Sequence, residues 1–280
     1  MRGGWIFRTW YGMTVRMRPR MAPGFFILGA QKAGTSALFA ILAQNRQLRA
    51  PVRKELHYFD DDRRFERGPD WYASRFPPRK ADAPALVTYE ATPCYLFFPH
   101  VPQRIHAAFP EAKLVVVLRD PVRRAYSAWN MRSQFKDHPR FAHRYDPRTF
   151  EQAVEKELQD GSLSTPLSDY LARGDYAPQL ERYFQLFPRE RILVVNYRDL
   201  QSDQLGTVNR ICAFVGVPPM VGDERVLLGR YNERPYSRPI AEAMQERLHR
   251  HFAPLHARLE ALLGHPLDLV EDRPMTRFYR

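Results

Sequence analysis

Gly24-Phe25-Phe26-Ile27-Leu28-Gly29-Ala30-Gln31-Lys32-Ala33-Gly34-Thr35-Ser36-Ala37-Leu38-Phe39-Ala40-Ile41-Leu42 is the stretch on which the reading of this chain turns. Phe25 to Leu28 are four consecutive apolar residues, the pattern of a short strand buried on both faces, as in a parallel sheet. A turn bounded by Gly29 and Gly34 follows. Ala37, Leu38, Ile41 and Leu42 then recur at helical spacing, with Thr35 and Ser36 available to satisfy the first free amides. Strand, glycine loop and helix start together form an anion cradle, because backbone N–H groups and the positive helix end converge where a phosphate can sit. The plainer reading is a glycine turn at a helix cap with a solvated lysine.

The loop is not a Walker loop. That motif places its lysine directly after the second glycine, followed by Ser or Thr. Here Gly29 and Gly34 have the right separation, but Thr35 follows Gly34 and Lys32 sits inside the loop. A lysine there reaches over a bound group from the loop crown. No Lys-Ser pair is left to hold both a γ-phosphate and a magnesium ion.

Working outward, the 280 residues contain 44% hydrophobic and 26% charged residues, the composition of a soluble globular protein. No composition break or long linker divides them, so residues 24–280 read as a single domain and 1–23 as a loosely ordered extension. That extension carries arginines at 2, 8, 16, 18 and 20 and lacks the apolar core of a secretory signal. Met13, Met17 and Met21 are each possible starts. No apolar run approaches a membrane span. The formal charge of +12 comes mostly from arginine, since only six of the 43 basic residues are lysine. Such a balance suits an acidic partner, or else reflects a solvated arginine bias. The two cysteines, Cys94 and Cys212, have no metal-ligand spacing and build no disulfide framework, which fits a reducing cytoplasm and no bound metal.

After the first helix comes Arg53-Lys54-Glu55-Leu56-His57-Tyr58-Phe59-Asp60. If it is extended, Glu55 and His57 share a face, and a carboxylate beside an imidazole suits general-base chemistry with either group as the base. The alternative is an edge strand whose glutamate pairs with Arg53 or Lys54. Leu86 to Glu90 reads as a second strand ending in Ala91-Thr92-Pro93-Cys94-Tyr95, with Glu90 and Thr92 placed to line a site at the strand end. A helix from Val101 to Phe109 leads to a third strand, Lys113 to Leu118. It runs into Arg119-Asp120-Pro121-Val122-Arg123-Arg124-Ala125-Tyr126-Ser127. Pro121 fits the first helical turn, Asp120 a cap, and Arg119 a forked contact to phosphate, to which Ser127 can add a hydroxyl. Helices are predicted at 121–136, 148–159, 176–187, near 204–215 and from Ala243 to Leu263, the last stopped by Gly264. A fourth strand is predicted at Ile192 to Val195, and a loop at 222–238. Strands alternating with helices indicate an α/β fold of three layers, a central mainly parallel sheet with helices on both sides.

The order of these parts resembles the carbohydrate sulfotransferases of the heparan sulfate type, from residue 24 onward. The resemblance rests on Lys32 in its loop, Glu55 to Asp60, Tyr89-Glu90-Ala91-Thr92-Pro93, and Arg119 with Ser127 eight residues on. It implies the P-loop-like sulfotransferase fold and a donor, 3′-phosphoadenosine 5′-phosphosulfate (PAPS). Lys32, Ala33, Gly34, Thr35 and Ser36 would hold the 5′-phosphosulfate, and Arg119 and Ser127 the 3′-phosphate. The resemblance decides for Glu55 as base, with His57 and Asp60 beside it in the acceptor cleft. Sulfuryl transfer to a hydroxyl of a glycan or glycoconjugate would proceed by in-line displacement without a metal, Lys32 stabilising the leaving phosphate oxygen. The chain departs from the family at Ala91, where members acting on heparan sulfate carry lysine, and it lacks their C-terminal disulfide loop; Arg230 to Pro235 would cover the nucleotide instead. Two other classes remain open: a P-loop nucleotide kinase, and a non-catalytic anion-binding protein. Nothing in the chain resembles a nucleic-acid-binding signature.

Overall fold

A computed structural model of the chain describes residues 19–79, 86–160, 169–220, 236 and 239–270. Among them, five strands pair in one sheet in the order β2-β3-β1-β4-β5, every pair parallel. The strands are β1 (Pro23–Gly29), β2 (Leu48–Arg49), β3 (Val87–Ala91), β4 (Lys113–Leu118) and β5 (Ile192–Asn196). Four of them are the apolar runs seen in the sequence. The fifth, β2, has two residues, too few to show a period.

The helices are α1 (Thr35–Leu42), α2 (Asp62–Phe65), α3 (Gly68–Ala73), α4 (Val101–Ala108), α5 (Pro121–Ser133), α6 (Phe150–Asp160), α7 (Tyr176–Phe184), α8 (Tyr197–Ser202), α9 (Gln204–Val215) and α10 (Glu242–Leu263). The chain leaves β1 through α1 in one direction along the sheet. It leaves β3 through α4, and β4 through α5 to α7, in the other. Right-handed crossovers therefore set α1 on one face and α4 and α7 on the opposite one. That gives the helix–sheet–helix layering the sequence implies. The direction of travel reverses between β1 and β4, and open α/β sheets bind ligands beyond the strand ends at such a reversal.

Burial follows from that position. Phe25, Phe26, Ile27 and Leu28 of β1 and Leu114 to Leu118 of β4 are all fully buried. A smaller core forms where Tyr126 and Trp129 of α5 meet Phe150 of α6 and Leu248 and Phe252 of α10. Asp120 caps α5 as expected, accepting hydrogen bonds from the N–H groups of Val122 at 2.8 Å and Arg123 at 3.2 Å, with Pro121 in the first turn.

Several local expectations need correcting. Residues 53–60 are not extended; they form a bent strap in which Glu55 and His57 both have positive φ. Thr35 and Ser36 do not precede α1 as caps, because the N-cap is Gly34 and Thr35 is already helical. Helices α5 and α7 also end three residues before the predicted bounds, at Ser133 and Phe184. The predicted loop at 222–238 and its Arg230 to Pro235 segment lie outside the described residues apart from Tyr236, as does most of the N-terminal extension. No helix of the described residues is long and apolar enough to cross a membrane.

Candidate active site

The loop after β1 lies at the reversal of the sheet, and its two glycines are there for space. A Cβ on Gly29 would fall 2.8 Å from Leu96 Cβ and 3.0 Å from the Pro93 carbonyl. Gly34 has φ 79°, and a Cβ there would fall 2.6 Å from the Tyr197 ring. With Gly34 as N-cap, no side chain caps the start of α1. The positive end of the helix is thus built from backbone alone, as an anion cradle requires. Ala33 is fully buried behind the loop and Thr35 is 4% exposed.

Lys32 crowns the loop. Its φ is 70°, unusual for a residue with a side chain, and its Nζ lies 3.7 Å from Met131 Sδ on α5. Ser127 is one helical turn before Met131, so it occupies the same face of α5, the one turned toward the loop. Arg119, just past β4, donates from Nη1 to the Lys32 carbonyl at 3.0 Å and stacks over the Tyr197 ring at 4.8 Å. Its own carbonyl accepts from the Tyr176 hydroxyl at 2.8 Å. The fold thus gathers Lys32, Gly34, Arg119 and the Ser127 face of α5 around the β1–β4 reversal.

The strap lies over the end of β3. The Glu55 N–H donates to the Ala91 carbonyl at 3.1 Å, and the His57 N–H reaches Thr92 Oγ1 at 3.4 Å. These bonds turn three side chains together. His57 Nε2 is 3.5 Å from Glu55 Oε2, and His57 Nδ1 is 2.8 Å from Asp60 Oδ2. Lys54 Nζ sits 2.5 Å from Glu55 Oε1. Glu55 and His57 share a face after all, but through two left-handed backbone turns and not through strand alternation. The glutamate–lysine pairing considered from the sequence is also present.

Charge follows from these contacts. Burial would push the Glu55 carboxyl up, but hydrogen bonds from His57 and Lys54 and the nearby Lys54 charge outweigh it and bring the pKa down to about 2. Burial would likewise depress His57, but its hydrogen bonds to Asp60 and Glu55 raise it to about 10. At neutral pH the pair is carboxylate and imidazolium. Only Glu55 is then in a form that can accept a proton.

Glu90 does not line the site. It is fully buried, and it accepts from the hydroxyls of Tyr72 at 2.5 Å, Tyr95 at 2.7 Å and Thr92 at 2.8 Å. Burial raises its pKa to about 7 against those three hydrogen bonds. Its part is to fix Thr92, which in turn holds the His57 backbone. A cavity of about 720 Å³ lies behind this network, with Tyr58, Tyr72, His100 and Phe109 among its lining residues, and Lys32, Glu55 and Arg119 are not among them.

Tyr197 and Tyr95 carried no signal in the sequence, since an aromatic beside a strand end looks the same whether it packs or positions. Backbone conformation supplies a clearer mark. Among the described residues, the non-glycine residues with positive φ are Lys32, Glu55 and His57, at 70°, 63° and 52°. Strained backbone concentrates where surrounding structure holds a functional side chain in place.

The sheet thus ends in a glycine loop and helix start after β1, with the Glu55 strap on the end of the neighbouring strand β3. The sulfotransferase domain family matches residues 22–228. Human heparan sulfate glucosamine 3-O-sulfotransferase 6 is 31% identical over 267 residues, 88% of this chain and 73% of that protein. Human heparan sulfate glucosamine 3-O-sulfotransferase 3B1 is 34% identical over 205 residues, 73% of this chain but only 49% of that protein, so the chain spans about half of its length. A crystal structure of a sulfotransferase from Alicyclobacillus acidocaldarius superposes with a TM-score of 0.68 at 31% identity, covering 88% of this chain and 97% of that one. The chain belongs to the sulfotransferase family. It is an enzyme whose sulfuryl donor is PAPS.

Proposed function

We propose that this enzyme transfers the sulfuryl group of PAPS to a hydroxyl of a carbohydrate, with Glu55 as the base. The observation that carries the reading is where backbone strain falls: among the described residues, the left-handed non-glycine residues are Lys32, Glu55 and His57. The carbohydrate acceptor is supported by the relatives, whose names are those of heparan sulfate enzymes. Ala91, at the end of β3, is fully buried, and it stands where the heparan-type pattern has lysine. The proposed acceptor is therefore a carbohydrate hydroxyl, without the lysine that marks the heparan-type pattern.

In this reading the loop amides from Lys32 to Ser36 bind the 5′-phosphosulfate, and Arg119 and Ser127 bind the 3′-phosphate. The acceptor hydroxyl enters beside Glu55, which is 43% exposed at its side chain. As the oxygen attacks sulfur in line, Glu55 takes its proton. Negative charge grows on the leaving phosphate oxygen, where Lys32 and the helix end stabilise it. His57, held by Asp60, orients Glu55 and the acceptor. Release of Lys54 from Glu55 would raise the carboxylate's basicity toward what proton transfer needs, since Lys54 is among the groups that lower its pKa. The two free thiols, Cys94 and Cys212, suit a reducing, cytoplasmic setting.

The experiment is a transfer assay with labelled PAPS against separate pools of oligosaccharides, phenols and lipid alcohols. Label is expected in the oligosaccharide pool. Label confined to phenols or lipid alcohols would overturn the acceptor class.

A further inference from the structure

Cys94 belongs to no part of the mechanism, yet it sits among residues that do. Among the described residues, one donor atom each from His57, Asp60 and Cys94 lies within 4.8 Å of the others. Asp60 is 4% exposed at its side chain, and while Oδ2 meets His57, its buried Oδ1 has no hydrogen-bond partner. A buried carboxylate oxygen left unpaired is costly, and in native proteins it commonly marks a missing ion or water. Here the carboxylate that carries the unpaired oxygen stands beside an imidazole and a thiol.

We propose that His57, Asp60 and Cys94 form a zinc site, and that filling it blocks transfer by taking His57 out of the acceptor cleft. The donor set is nitrogen, oxygen and sulfur, which suits a borderline-soft ion. A hard ion such as Mg²⁺ takes oxygen ligands and keeps its waters, so it should pass the site by. Zinc–ligand lengths imply ligand separations of roughly 3.3–3.8 Å, so binding draws the three ligands closer together. On binding, Zn²⁺ replaces the thiol proton and the proton on the coordinating imidazole nitrogen. Both protons leave to solvent, and no electron moves. Asp60 and the thiolate then balance the ion's charge, with the fourth position left to water. Arg173 also approaches Cys94, its Nη1 4.0 Å from Sγ and its guanidinium stacked 4.2 Å over Phe97. Because His57 meets Glu55 through Nε2 at 3.5 Å and Asp60 through Nδ1 at 2.8 Å, an ion held by His57, Asp60 and Cys94 draws on the same ring that faces Glu55. The blocking half rests on the proposed placement of Glu55 and His57 at the reaction centre; the binding half does not.

Cobalt(II) is the probe for binding. Titrated into the full-length enzyme, one equivalent should give a thiolate-to-cobalt charge-transfer band that Zn²⁺ abolishes. Cys94→Ser should lose the band and bind Zn²⁺ at least about tenfold more weakly by calorimetry, a loss at the scale known for groups that support metal ligands. Cys212→Ser should keep both, since Cys212 is fully buried elsewhere. Binding of 3′,5′-adenosine bisphosphate checks that Cys94→Ser is folded. Should that variant not fold, protection of wild-type Cys94 from alkylation by Zn²⁺ but not by Mg²⁺ takes its place. No band, a band that survives in Cys94→Ser, or no protection overturns the site. In the transfer assay, Zn²⁺ should inhibit wild type and spare Cys94→Ser. Zinc that binds at one equivalent and leaves transfer untouched overturns the blocking role and leaves the binding site standing.

Discussion

At Glu55 a carboxylate is held between two cations, Lys54 at 2.5 Å and the His57 ring at 3.5 Å. This arrangement sets the charge state of both groups, and it can be read by titration. His57 has its pKa raised from 6.5 to about 10. A group raised on folding contributes stability that is fully present below its unfolded pKa and is lost as pH rises through the folded one. The stability of wild type over His57→Gln should therefore be greatest below pH 6.5 and shrink as pH approaches 10. Nuclear magnetic resonance of the ring should show the same midpoint. A ring that titrates near 6.5 would show that the imidazolium pair does not form. Glu55 works in the opposite sense, its contribution being present above about pH 4.5 and lost only as pH falls toward 2. The residues of this cluster were legible in the sequence because Glu55, His57 and Asp60 are close neighbours in the chain. Their geometry was not legible. Period-two alternation predicts a shared face, whereas the actual face comes from two left-handed residues that Ala91 and Thr92 hold from 36 and 35 positions away.

On the scale of elements, the β1–α1 loop is where sequence and structure agree most closely. Its strand, glycines and helix lie within twenty residues, so local pattern carries nearly all the information. What the sequence could not reveal is why Gly34 must be glycine, because the reason is Tyr197, 163 positions on in α8. Alanine at position 34 would need a left-handed backbone, costing about 1–2 kcal/mol, and its Cβ would press on a ring that also supports Arg119. Gly34→Ala should therefore weaken binding of 3′,5′-adenosine bisphosphate while the protein stays folded. The double variant Gly34→Ala with Tyr197→Ala should relieve the clash but not restore affinity, since Arg119 loses its stack. Full affinity in the single variant, by calorimetry, would remove Tyr197 from the account of the loop.

For the molecule as a whole, the reversal of strand order between β1 and β4 brings the loop and Arg119 into contact, and this is the step from fold to donor. The parallel sheet was legible in the alternation of apolar runs with helical patterns. The strand order was not, because adjacency in a parallel sheet depends on crossovers that leave no mark on composition. Arg119 touches the Lys32 carbonyl, and in the proposed reading it binds the donor's 3′-phosphate. The enzyme should bind 3′,5′-adenosine bisphosphate more tightly than ADP, and Arg119→Ala should erase most of that preference, at about 1.5–3 kcal/mol for each hydrogen bond to a charged group. Equal affinity for the two nucleotides in wild type would contradict the assignment of the 3′-phosphate. Transfer should not require added Mg²⁺; a strict requirement would favour a kinase.

The central claim is that the carboxylate beside the cradle takes the acceptor's proton. Single-turnover transfer from labelled PAPS to the carbohydrate acceptor, compared between wild type and Glu55→Gln, tests it most directly. Glutamine keeps the shape of the side chain and removes its basicity, and general-base catalysis contributes about 10²–10⁴-fold. Glu55→Gln should bind 3′,5′-adenosine bisphosphate as wild type does and transfer at least about a hundredfold more slowly. A Glu55→Gln enzyme that transfers at close to the wild-type rate would contradict the claim.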